Sequence, residues 1–213
     1  MNKFNYKNNN NSTQLLKNEE PCLPMLPPLD VFENCNKFNI KTIGASIYFY
    51  EEINSNTILA LKENIEDLSA KILEESYKLQ FDPVIHLHIY SPGGDAFMGL
   101  SIYDYIKNHK VKIWTYIDGM IASAATFIYL AGHRRFVSQT SMMLIHQIST
   151  YFGGKYEELK DEYENSSNMM TIIKNIYKAN TQMPKKTIDS ILKRELLLTA
   201  NDCIKYNIAD EMI

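Results

Sequence analysis

The chain has 213 residues, 45% hydrophobic and 22% charged, with a formal charge of −3 at pH 7. This suits one globular domain with a tail, and so mild a charge carries no footprint for nucleic acid or an anionic membrane. Three scattered cysteines, Cys22, Cys35 and Cys203, show no C-x-x-C spacing, which speaks against a zinc site or a disulfide framework and for a reducing compartment.

Residues 1–38 are rich in asparagine and then in proline, with Pro21, Pro24, Pro27 and Pro28 close together. Such a segment buries too little apolar surface to offset its ordering entropy, so it reads as a disordered extension to a folded domain over 39–213. Its start, "MNKFNYKNNNNSTQLLKNEE", has no apolar core of a secretory leader. It is free of arginine and carries Glu19 and Glu20, which weakens a transit-peptide reading. A cytoplasmic location is expected, with organellar import left open. The most apolar stretch, Met120 to Ala131, falls short of the roughly 20 residues that span a bilayer.

Regular patterning begins at Ile40. "ASIYFY" is a short strand, and Asn56 or Thr57 can cap an amphipathic helix running to about Leu79. "VIHLHIY" (84–90) reads as a buried strand stopped by "SPGG". "DAFMGLSIYDYIKNH" is helical, "VKIWTYI" is a strand, and "DGMIASAATFIYLAG" (118–132) is a glycine turn followed by a helix with Ser123 in its first turn. "SMMLIH" is a further strand, and a long helix covers 155–180. Strands alternating with helices predict an α/β fold of βαβ units with mainly parallel pairing.

Two strand-to-helix junctions stand out. In "YSPGGDAF" adjacent glycines allow positive φ and a close backbone approach to a ligand; no G-x-x-x-x-G-K phosphate loop is present. In "IDGMIASAATF" the neighbours of Ser123 are small, leaving room beside its hydroxyl. Side by side, the junctions could aim the N–H groups of Gly94 (or Gly93) and Ala124 at one oxygen, the arrangement of an oxyanion hole. A serine needs a base. His109 and His133 lie in polar turns, and His86 and His88 share one strand face, where sheet packing explains them without a metal. His146 ends a strand at the edge where such folds place chemistry and is the best candidate.

Taken together, "SPGG", "DGMIASAATFIYLAG", "HRRF", "MLIHQ" and "LLLTANDCIKYNIADEMI" resemble the proteolytic subunit of the Clp (caseinolytic) protease family, from about residue 44 to the C-terminus. The resemblance implies a crotonase-like spiral with a long handle helix, and a serine endopeptidase that acts on unfolded protein or peptides without cofactor or metal. By position it implies Ser123 as nucleophile, His146 as base, and Gly94 and Ala124 as oxyanion donors. The family's acid is an aspartate; here the matching position offers Glu195, with Asp189 in reserve. A glutamate is one methylene longer and must fold back to reach the histidine.

Ile148 stands where the family has proline after H-Q, and Asn207 replaces a glycine. The helix 155–180 carries apolar residues at Tyr156, Leu159, Tyr163, Met170, Ile173 and Tyr177, a stripe that usually packs within its own chain. The resemblance instead implies a handle joining heptameric rings, stacked as a tetradecamer. The N-terminal segment does not resemble the family's axial loops, which leaves docking to an AAA+ unfoldase open. The alternative to an active peptidase is a ring subunit with a structural or regulatory role. Acyl-CoA chemistry on the same fold is a third reading, disfavoured by the serine and histidine.

Overall fold

The computed structural model describes residues 38–213. The predicted extension, Phe38 apart, lies outside the described residues, as do Cys22 and Cys35. In chain order the elements are β1 (Ile40–Ile43), β2 (Ser46–Phe49), α1 (Ser55–Leu79), β3 (Val84–Ser91), α2 (Ala96–Lys107), β4 (Lys112–Ala122), α3 (Ala125–Ala131), β5 (Arg134–Val137), β6 (Met142–Leu144), α4 (Tyr156–Asn180), α5 (Lys185–Ile191), β7 (Leu197–Thr199), α6 (Ala200–Lys205) and β8 (Glu211–Met212).

Period-2 burial builds the sheet. Ile85, Leu87 and Ile89 of β3 are buried, as are Ile113, Thr115 and Ile117 of β4. The intervening residues face the other way and are half-buried, so "VIHLHIY" is buried on one face only. On that second face Tyr48, His88, Tyr116 and Phe136 are register partners across four strands. Their rings stack with successive centroids 4.7, 4.5 and 4.7 Å apart. His86 hydrogen-bonds Tyr116 at 2.8 Å, and His88 sits 3.1 Å from Asp118. Both histidines thus serve the sheet face, as their alternation suggested.

The strand order is β1-β2-β3-β4-β5-β8, with β6 branching from β4 and β7 pairing with β6. Pairing is parallel except for the β1–β2 hairpin and β6–β7. The branch explains a misread boundary. β4 does not stop at Ile117: its first part pairs with β5 through Trp114–Ile117, its last part with β6 through Met120–Ala122. Asp118 and Gly119 (φ 78°) form the step where it changes partner. The expected glycine turn is therefore inside a strand, and the helix that was to contain Ser123 begins two residues later, at Ala125.

Helices cover the apolar face. α1 buries Ile58, Leu61, Ile65, Leu68 and Ile72 at alternating spacings of three and four. Its cap is Asn54 rather than Asn56 or Thr57: Asn54 Oδ1 accepts from the Thr57 N–H, while Thr57 Oγ1 accepts from the Asn54 N–H. α4 behaves as two halves. Met169, Ile173, Ile176 and Tyr177 are buried, whereas Tyr156, Leu159 and Tyr163 are exposed. The expectation of in-chain packing holds only for the second half.

Candidate active site

The site is assembled by strand register. β4 and β6 run parallel with Ala122 beside Leu144, and the Ser123 N–H donates to the Leu144 carbonyl at 2.9 Å. β6 and β7 run antiparallel with Leu144 opposite Leu197. Carrying that pairing two residues further sets His146 opposite Glu195. Three adjacent strands thus deliver Ser123, His146 and Glu195 to one edge of the sheet. His146 lies two residues beyond β6 instead of at its end.

Ser123 has φ 54°, in the left-handed region that non-glycine residues rarely enter. Such a backbone costs about 1–3 kcal/mol and persists where the surroundings over-determine it. Here the bend turns the chain from β4 into α3 and leaves the side chain half-buried in a cleft of roughly 880 Å³. Gly93, Gly94 and His146 line the same cleft, with Ile148, Met169 and Ile172 as its apolar walls. Among the described residues no hydrogen bond joins Ser123 Oγ to His146; catalytic bonds of this kind often tighten only with substrate bound.

The glycine strap before α2 is held by Ile53, a residue with no sequence signal for the role. The Ile53 N–H donates to the Gly93 carbonyl at 2.7 Å, and the Asp95 N–H donates to the Ile53 carbonyl at 2.8 Å. In parallel pairing the residue between those two contacts turns its own N–H the other way, so the Gly94 N–H faces away from Ile53. The buried Ser91 hydroxyl accepts from the Gly93 N–H at 3.1 Å and shapes the turn. A Cβ on Gly93 (φ 95°) would lie 2.6 Å from the Ala122 carbonyl and 2.7 Å from Ser123 Cβ. The two junctions therefore touch, and only glycine permits it. At the second junction α3 has no side-chain cap, and among the described residues no hydrogen bond engages the Ala124 N–H.

His146 Nδ1 lies 3.2 Å from Glu195 Oε1; the His146 side chain is 22% exposed and that of Glu195 74%. Asp189 is engaged elsewhere. Its Oδ1 is 2.8 Å from Lys174 Nζ, a bond that holds the carboxyl below its ordinary range. His109 contacts Ser69, and His133 Nδ1 accepts from the Ile113 N–H. Burial pushes the Cys203 thiol up to about 12, which keeps it protonated and unreactive. Asn207, which stands where the family has a glycine, adopts φ 51°, a region asparagine tolerates better than most residues.

The Clp protease family model matches residues 43–213. The ATP-dependent Clp protease proteolytic subunit of Cyanophora paradoxa is 31% identical over 130 residues, covering 60% of this chain and 67% of that protein. The proteolytic subunit 2 of Treponema denticola is 29% identical over 165 residues, covering 75% and 82%. A solved structure of a ClpP1 mutant from Listeria monocytogenes superposes with a TM-score of 0.64 at 26% identity, covering 80% of this chain and 91% of that one. With a mixed sheet of crotonase-like type and a family match over most of its length, the chain is a member of the Clp protease family.

Proposed function

We propose that this chain is a serine endopeptidase that hydrolyses unfolded polypeptides or peptides through Ser123, His146 and Glu195. The observation that carries the reading is the register of β4, β6 and β7, which gathers these three residues at one sheet edge beside a cleft. His146 takes the proton from Ser123 as Oγ attacks the substrate carbonyl. The developing oxyanion is bound by the N–H groups of Gly94 and Ala124. His146 then protonates the leaving amine, and water releases the acyl group by the reverse path. Glu195, near His146 Nδ1, orients the imidazole and stabilises its charge.

The same reading includes assembly into heptameric rings, stacked in pairs around an enclosed chamber, and delivery of substrate by an AAA+ unfoldase. Support for assembly comes from Tyr156, Leu159 and Tyr163, exposed together on one side of α4; a solvated helix face of this kind suits burial against another copy. Among the described residues no helix is long and apolar enough to cross a membrane.

A fluorophosphonate probe combined with native mass tests both parts. Labelling of a ring-sized particle that is lost in Ser123→Ala supports the reading. Labelling that persists in the alanine variant removes Ser123 from its role. A ring that neither labels nor cleaves peptide would be the structural subunit instead.

A further inference from the structure

Thr126 and Tyr177 have no part in the steps above, yet two short hydrogen bonds join them to the centre of the site. Thr126 Oγ1 donates to the Ser123 carbonyl at 2.6 Å, and the Thr126 N–H donates to the same oxygen at 3.0 Å. A carbonyl can only accept, so the single Thr126 hydroxyl proton is committed there. The Tyr177 hydroxyl, 2.6 Å from Thr126 Oγ1, is therefore the donor to threonine. Tyr177 belongs to α4 and is 1% exposed. Burial holds its phenol far above the ordinary range, so the donor proton stays in place.

A threonine bonded to the carbonyl three residues back is common in helices and by itself implies little. Two features set this one apart. The acceptor is not helical but the left-handed Ser123. The threonine rotamer is also locked from outside, by a buried phenol on a different helix.

The peptide group is planar and trans, so its C=O and N–H point in opposite directions. The Ser123 carbonyl and the Ala124 N–H share one such plane. We propose that Thr126 and Tyr177 are positioning residues: by drawing the Ser123 carbonyl into the interior, they aim the Ala124 N–H into the cleft. This ties α4 to the oxyanion site. It rests on the reading of Ala124 as an oxyanion donor.

Three variants test it in peptide hydrolysis. Thr126→Val keeps the shape and removes the hydroxyl, Thr126→Ser keeps the hydroxyl, and Tyr177→Phe removes only the outer donor. Thr126→Val is expected to lower kcat roughly tenfold with KM within about twofold of the parent, the pattern of an interaction made in the transition state. Thr126→Ser stays within about twofold of the parent, and Tyr177→Phe falls between. A valine variant with parental kcat overturns the proposal, as does a serine variant as slow as valine. Amide exchange at Ala124 separates the two readings. Should Ser123→Ala leave hydrolysis unchanged, the active-site assignment fails and exchange alone decides. Faster exchange at Ala124 in Thr126→Val than in Thr126→Ser upholds the pinned peptide; equal exchange overturns it.

Discussion

The two strand-to-helix junctions beside the cleft make the same bend by different means. After β3 the chain turns on Gly93 and Gly94, and Asp95 closes the start of α2 by accepting from the N–H groups of Phe97 and Met98. After β4 the bend falls on a serine at φ 54°, and α3 starts with no side-chain cap. The first junction is relaxed and a side chain takes its helix donors; the second is strained, and its helix donors Thr126 and Phe127 go to the backbone carbonyls of Ser123 and Ala124. Where a fold breaks its own local rules, chemistry is the expected reason.

The largest effect expected is at the strained junction itself. Ser123→Ala should lower peptide turnover by at least about 10⁴-fold, read as single-turnover hydrolysis, with the fold intact by circular dichroism. Glu195→Gln is expected to lower kcat by about 10²–10³-fold, less than a buried triad acid because water reaches this side chain. Asp189→Asn should leave kcat unchanged, and a reversal of that pair would move the acid to α5.

Gly93→Ala sharpens the contrast by forcing a Cβ between the junctions. Steric overlap and positive φ together should destabilise the fold by about 3 kcal/mol, measured by urea unfolding. Asp95→Ala uncaps the relaxed junction and should remove about 1 kcal/mol of stability with little change in labelling of Ser123.

The smallest effect lies away from both junctions. Burial would raise the Asp210 carboxyl, but the bonds and charge of Arg135 outweigh it and hold the group below its ordinary range. A carboxyl lowered in the folded state adds stability above its unfolded pKa and loses it as pH falls through the folded one. Asp210→Asn should therefore flatten the acid side of the stability profile, followed by urea unfolding at falling pH.

Much of this was legible in sequence because it is local. The period-2 run at 84–90, the 3/4 spacing of α1 and the crowd of small residues around Ser123 each announce themselves within a few positions. What stayed hidden depends on distant partners. Nothing near Gly119 says that β4 will trade β5 for β6 there, so the strand looked finished and the helix looked longer. The facing of His146 and Glu195 is a property of β6–β7 register, which the resemblance supplied by position and local pattern could not. The outward turn of Tyr156, Leu159 and Tyr163 was masked because a helical stripe reads the same whether its partner is in the chain or outside it. Ile53, holding the glycine strap through backbone atoms alone, leaves no side-chain trace at all.

The left-handed bend at position 123 has a consequence for heat resistance. A glycine there would keep the same path without steric penalty, since it has no Cβ to crowd the carbonyl. The Ser123→Gly chain, which the proposed mechanism leaves without a nucleophile, should thus melt at a higher temperature than the parent. Endurance and reactivity compete here for a single backbone angle.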